Sequence, residues 1–288
     1  MNILVTGSGG QLGHALRRAS AASADRYFFT DVAGDDTLRL DITDREAVER
    51  FVREHAIGAV VNCAAYTAVD KAEDDVDLCY KINRDAVENI ALVASANGLK
   101  VIHVSTDYVF DGTNYMPYTE DQAVCSASVY GKSKLAGEEA LTANLKNAVI
   151  IRTSWLYSSF GNNFVKTMIK LGTERDALNV IFDQVGTPTY AADLADAILK
   201  IVSAESFVPG IYHFSDEGVC SWYDFTKTIH RISGITCNVQ PIESKDYPAR
   251  TPRPHYSVLN KSKIKSTYHI QIPHWEESLI KCIEVLQK

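Results

Sequence analysis

Tyr130 and Lys134 stand four residues apart in Tyr130-Gly131-Lys132-Ser133-Lys134. On a helix, positions i and i+4 share a face, so the phenol and the ammonium point the same way. A free tyrosine ionises near pH 10, and a neighbouring ammonium favours the phenolate and lowers that value. A phenol tuned in this way can give a proton to a carbonyl oxygen. Such a pair arises often by chance, so its neighbours carry the argument. Ser105-Thr106-Asp107 follows the apolar run Val101-Ile102-His103-Val104, and a hydroxyl there can hold the same oxygen. His103, inside that run, reads as a core histidine with its hydrogen bonds satisfied.

A third feature lies at the start of the chain. Gly7, Gly10 and Gly13 have the spacing G-x-x-G-x-x-G within Thr6-Gly7-Ser8-Gly9-Gly10-Gln11-Leu12-Gly13. They sit between the apolar run Ile3-Leu4-Val5 and a helical stretch from about Gln11 to Ala21. Glycine permits the tight turn and lets backbone approach a pyrophosphate, while the helix end offers free N–H groups. Asp31 ends the next strand, Tyr27-Phe28-Phe29-Thr30-Asp31, about 20 residues past the fingerprint, where an acid can hold ribose hydroxyls. The pattern predicts a nicotinamide dinucleotide, NADH or NADPH. The Asp31 carboxylate repels a 2′-phosphate and favours NADH slightly; Arg17, Arg18 and Arg39 are near enough to temper that preference. Asp41-Ile42 is expected beside the adenine. Asn62-Cys63-Ala64-Ala65-Tyr66-Thr67 follows the strand Ala59–Asn62 and is expected to line the nicotinamide.

Short apolar runs alternate with helical stretches at about 44–55, 77–97 and 129–143, with Asp44 as one cap and Gly98 as one stop. Runs without alternation suit strands buried on both faces. The expected fold is therefore α/β, a doubly wound parallel sheet of Rossmann type with a smaller C-terminal lobe. The expected cofactor domain is 1–155 with about 178–203; the substrate lobe is about 156–177 and 204–288, with a soft border. Helices are expected at 190–203, 221–232 and 275–286, and irregular chain at 110–127 and 241–254.

At 288 residues and 46% hydrophobic, the chain can bury a large core. A formal charge of -7 argues against a nucleic-acid partner bound through the overall field. The six cysteines are dispersed with no Cys-x-x-Cys pair, which predicts packing thiols in a reducing compartment and no metal site. The first apolar run is too short for a signal peptide, and no run reaches the roughly 20 apolar residues of a membrane span. A cytoplasmic protein with no membrane partner is expected.

The glycine pattern, Asn62-Cys63-Ala64-Ala65, Ser105-Thr106-Asp107 and Tyr130-x-x-x-Lys134 together resemble the extended short-chain dehydrogenase/reductase family. Longer stretches narrow the resemblance to its reductases of nucleotide-linked keto-sugars. These are Ser105-Thr106-Asp107-Tyr108-Val109-Phe110-Asp111-Gly112, Ala68-Val69-Asp70-Lys71-Ala72-Glu73 and Arg152-Thr153-Ser154-Trp155-Leu156-Tyr157. Gly161-Asn162-Asn163-Phe164, Asp183-Gln184-x-Gly186-x-Pro188-Thr189 and Arg253-Pro254-x-x-Ser257-x-Leu259 extend it to nearly the whole chain.

The resemblance implies reduction of the 4-keto group of dTDP-4-dehydro-6-deoxy-L-mannose to dTDP-L-rhamnose. It implies Thr106, Tyr130 and Lys134 as the catalytic set, and Asn83 as a support of the active-site backbone. It places Val69, Thr106, Asp107, Tyr108, Tyr130 and Trp155 around the sugar. Cofactor contacts fall on Gly7, Gly10, Gln11, Leu12, Gly13, Asp31, Asp41, Ile42, Ala64, Ala65, Tyr66, Thr67, Tyr130 and Lys134. Relatives allow a homodimer and Mg2+ held at its interface, without assigning ligands here. Arg250 and Arg253 read equally as diphosphate ligands or as solvated loop charges. Two alternatives stay open: a non-catalytic NADP-binding regulatory subunit of a partner enzyme, and a nucleotide-sugar epimerase.

Overall fold

A computed structural model describes residues 1–34 and 37–288. Its centre is a seven-stranded sheet in which every pairing is parallel. Six of its strands come from the first half: β1 (Asn2–Thr6), β2 (Arg26–Asp31), β3 (Leu38–Arg39), β4 (Ala59–Asn62), β5 (Lys100–Thr106) and β6 (Ala148–Thr153). The seventh is Gly210–His213, and the order across the sheet is 210–213, β6, β5, β4, β1, β2, β3. The strand sequence turns back at β1, so the carboxyl ends of β1 and β4 open a crevice between crossovers running to opposite faces.

The helices linking these strands are α1 (Gln11–Ala19), α2 (Arg45–Glu54), α3 (Val69–Ala72), α4 (Val76–Tyr80), α5 (Ala86–Asn97) and α6 (Val129–Asn144). Asp44 caps α2 by accepting from the Ala47 N–H, and Gly98 ends α5 in the left-handed region at φ 66°. The expected 77–97 helix is broken by a π-helical turn at Lys81–Asp85, which carries the buried Asn83. Insertions of this kind often mark functional sites.

Period-two geometry sorts each strand between two cores. From β1, Ile3 and Val5 face a cluster containing Leu12, Leu16, Leu194 and Ile198, while Leu4 faces Val60, Val87, Ile90 and Leu141. Both faces of the sheet are thus covered by helix. A third core, built from Tyr157, Val165, Leu178, Phe225, Trp275 and Leu279, fills the C-terminal lobe.

Two segments lie across the expected border. The strand Ala177–Ile181 pairs with Asn238–Ile242, and its alternate residues Leu178 and Val180 pack into the lobe core with Val239. The strand Gly210–His213 instead joins the main sheet beside β6. It follows the helix Ala191–Val202, which covers one sheet face, so the crossover returns the chain to the open edge. Residues 241–242 are strand rather than irregular. The helices Phe164–Glu174 and Ser262–Tyr268 had no expected counterpart. Among the described residues, no helix is long and apolar enough to cross a membrane, and no group of three or more His, Cys, Asp or Glu could hold a metal ion.

Candidate functional site

A cleft of about 930 Å³ runs along the carboxyl ends of β1, β4 and β5. One end is built from backbone. Gly7 has φ 65°, and a Cβ there would lie 2.5 Å from the Ala64 nitrogen. A Cβ on Gly13 would lie 2.4 Å from the Ser8 Cα. Both glycines are therefore demanded by the chain's own packing. Gly10 differs: a Cβ there would meet only the Gly7 carbonyl, at 3.3 Å, and the residue is exposed. The space it leaves opens onto the cleft. Gly10 is also the N-cap of α1, which has no side-chain cap and no acid in its first turn. Uncapped N–H groups and an open approach suit an anionic diphosphate.

The walls of this end hold nearly every residue expected there. Asp31 accepts the Gly9 N–H at 2.9 Å, so its carboxylate is fixed against the glycine turn. Asp41, Ile42, Ala64, Ala65 and Thr67 line the cleft, as do Leu12 and Gln11. The Gln11 side-chain oxygen, Oε1, accepts from Ser158 at 3.1 Å and from Asn163 at 3.0 Å, which ties α1 to the Gly161–Phe164 motif. Tyr66 is the exception. Its hydroxyl donates to Asp75 at 2.9 Å, away from the cleft lining, while Asn83 bonds both its backbone N–H and its carbonyl. Asn83 also donates to Ser133 on α6 at 3.0 Å. The glycine at 137 lets α6 close on this turn, because a Cβ there would stand 2.1 Å from the Asn83 oxygen.

The other end is built from side chains. Thr106 terminates β5, donates to the Asp107 carboxylate at 3.0 Å and accepts the Tyr108 N–H at 3.2 Å. Tyr130 lies in the first turn of α6, where Ser128 caps by accepting the Gly131 N–H at 3.1 Å. Gly131 is needed here as well, since a Cβ would fall 2.3 Å from the backbone carbonyl oxygen of Tyr108. The Tyr108 and Tyr130 rings meet edge to face at 5.5 Å. Lys134, one turn further, is 2% exposed; its Nζ donates to the Val104 carbonyl at 2.7 Å and lies 3.3 Å from Nε2 of His103. Thr106, Asp107, Tyr108, Tyr130 and Lys134 all line the one cleft, with Val69 and Trp155 beside them.

Electrostatics here differ from the sequence expectation in one respect. Burial raises the Tyr130 phenol well above its usual value, against a hydrogen bond with Thr106 that pulls the other way. Lys134 does not override this. Burial lowers its ammonium to about 8, against the attraction of the Glu138 carboxylate. For each group desolvation outweighs the partners that favour its charged form. Tyr130 therefore rests protonated, the state a proton donor must start from. Burial also pushes the Asp107 carboxyl up to about 7.

Trp155 is held in the left-handed region at φ 48°, and its indole stacks on Trp222 with centroids 3.5 Å apart. Gly186 makes room for that indole, since a Cβ would lie 2.7 Å from its Cε2. The 183–189 and 253–259 motifs meet beside it, where Val185 donates to the His255 carbonyl at 2.7 Å. Arg250 and Arg253 are ion-paired with Asp74 and Asp70, so they bridge the lobe to the chain around α3. Sequence reasoning passed over Trp222, whose place is visible only from its partner; His103 is the buried, hydrogen-bonded core histidine that was expected.

The whole chain, residues 1–288, matches the family model described as RmlD substrate binding domain. The spore coat polysaccharide biosynthesis protein SpsK of Bacillus subtilis is 40% identical over 277 residues, covering 96% of this chain and 95% of SpsK. A crystal structure of a dTDP-4-dehydrorhamnose reductase from Clostridium acetobutylicum superposes with a TM-score of 0.94 at 43% identity, covering all of both chains. That of the dTDP-4-dehydrorhamnose reductase from Bacillus anthracis in complex with NADP gives 0.91 at 37% identity, covering 99% of each. The family model and these relatives match the chain nearly end to end, and the chain belongs to the dTDP-4-dehydrorhamnose reductase family.

Proposed function

We propose that this chain reduces the 4-keto group of dTDP-4-dehydro-6-deoxy-L-mannose to dTDP-L-rhamnose, with NADH or NADPH as reductant. The observation that carries the reading is the convergence of Thr106, Tyr130 and Lys134 on one wall of the cleft that Gly10 and the α1 N-terminus enter. A nicotinamide cofactor, when bound, supplies the hydride for the carbonyl carbon. On substrate binding the Thr106 hydroxyl turns its one proton from Asp107 to the ketone oxygen and positions it. Tyr130, protonated at rest, gives its proton to the same oxygen, so hydride and proton together complete the alcohol. Lys134 holds the resulting phenolate by its charge. Val69, Tyr108 and Trp155 enclose the sugar, and the Trp155–Trp222 stack gives that wall its rigidity. The cofactor binds to the sheet domain and the sugar against the C-terminal lobe. The reading is of a cytoplasmic enzyme, in keeping with six free cysteines.

Asp31 favours NADH, by repulsion of a 2′-phosphate. A large advantage of NADPH in turnover would overturn that preference, and the NADP-bound relative makes the comparison worth running. The central experiment follows loss of reduced cofactor on adding the dTDP-linked 4-keto sugar to the purified chain. Net stoichiometric oxidation is expected. No oxidation by the purified chain would favour a regulatory subunit; sugar inversion without net oxidation would favour an epimerase.

A further inference from the structure

Beneath Lys134 lies a line of buried polar groups. Thr6 donates to Oδ1 of Asn62 at 2.6 Å, and the Ala64 N–H donates to the same oxygen at 3.2 Å. A backbone N–H can only donate, so it fixes which end of the Asn62 amide is the oxygen. The amide nitrogen is then the group facing Nδ1 of His103, at 3.0 Å. Nδ1 must accept that bond, which leaves the proton of a neutral imidazole on Nε2. His103 is fully buried, and burial beside Lys134 holds it neutral. Its Nε2 points at Lys134 Nζ, 3.3 Å away.

An N–H aimed at an ammonium has nothing to bond; aimed at an amine it meets a lone pair. The free amine of Lys134 can donate one hydrogen to Val104 and accept from His103, with one hydrogen left for the cleft. We propose that His103, locked by Asn62 in the Nε2–H tautomer, is a positioning residue that holds the free amine of Lys134 and so sets when that lysine carries charge. This rests on the reductase reading only in giving Lys134 a task. Reduction consumes the Tyr130 proton, and a lysine that moves easily between ammonium and amine is suited to help restore it. The groups facing Lys134 are His103 from β5, Cys63 after β4, Cys79 from α4, and Glu138 from its own helix; Glu138 foremost, then Cys63 and Cys79, oppose its loss of charge, and burial outweighs all three. The lowered value of about 8 for Lys134 agrees with the arrangement, with burial as its main cause.

The test combines a tautomer measurement with a pH profile. In the full-length protein labelled with ¹⁵N-histidine, NMR should find His103 as the Nε2–H tautomer. Asn62→Asp replaces the amide donor by a carboxylate that accepts from Nδ1–H, so the imidazole should flip and offer Nε2 as an acceptor. His103→Gln offers a side-chain oxygen to the ammonium instead. In both variants the basic limb of kcat should move up by roughly one pH unit or more, with KM for the keto-sugar little changed. An Nδ1–H tautomer in the parent protein overturns the proposal. So does an unmoved limb in both variants. A parent protein that never oxidises cofactor would sink the reductase reading alone, and the tautomers of the parent and of Asn62→Asp would still decide this one.

Discussion

The two ends of the cleft are made of different material. The glycine-turn end presents backbone: uncapped N–H groups of α1, an open space at Gly10 and one fixed carboxylate at Asp31. The Tyr130 end presents side chains whose ionisation is displaced by burial, Asp107 and Tyr130 upward and Lys134 downward. An anion needs many weak, fixed dipoles, which backbone supplies without titrating. A proton donor needs a group that can titrate, and burial adjusts it. The first end should therefore respond to shape and the second to pH and to single atoms.

The largest expected effect is at the side-chain end. Tyr130→Phe removes one hydroxyl and should lower turnover by about 10²–10⁴-fold, the usual worth of a positioned acid. Cofactor affinity, measured by titration, should barely change. Parent-like turnover in this variant would break the contrast between the two ends.

Next is the support behind that end. Glu138 on α6 and Arg152 on β6 form an ion pair with both side chains 3% exposed. Glu138→Ala would leave the guanidinium buried without its partner, and the expected destabilisation is about 3–5 kcal/mol by urea unfolding. A loss under about 1 kcal/mol would mean that water reaches Arg152.

Asp107 tests the pH contrast directly. An unfolded aspartate ionises near 3.9, whereas burial holds this one at about 7. Between those values the folded chain keeps a proton that the unfolded chain has released, so stability falls as pH rises from about 4 to about 7. Asp107→Asn removes that penalty. Its stability relative to the parent should climb across this window, by on the order of 4 kcal/mol, and then level off. A flat difference would place the carboxyl near its ordinary value.

The smallest effects separate the glycines. Gly13→Ala pushes a Cβ to 2.4 Å from the Ser8 backbone and should cost roughly 1–3 kcal/mol in stability. Gly10→Ala meets only one atom, at 3.3 Å, and should change stability by less than about 1 kcal/mol. Its cost should appear instead as a roughly tenfold loss of cofactor affinity. Unfolding curves and cofactor titrations on the same two variants would decide whether Gly10 is there for the ligand.

Much of this was open to reading in the chain alone. The period of β1, its turn and α1 follow from local rules, because a buried parallel strand, a glycine turn and an amphipathic helix each write their own pattern. Tyr130 and Lys134 are close in sequence, so helix geometry joins them without help from the fold. The 177–181 and 210–213 strands were assigned to the opposite sides of the border because pairing partners distant in sequence leave no local mark. The sign of the Tyr130 shift was misjudged for a related reason: spacing reveals the nearby ammonium but not the depth of burial, and burial dominated.

What the sequence determined by itself is the list of groups and the elements that carry them: Thr106 ending β5, Tyr130 and Lys134 on one face of α6, the glycines opening α1. The tertiary structure decided their state. It stacked Trp222 on Trp155, brought Asn62 and His103 beneath Lys134, and withdrew Tyr130 and Lys134 from water. Ionisation and tautomer depend on solvent access and on partners from other strands, and those exist only once the sheet has closed around them.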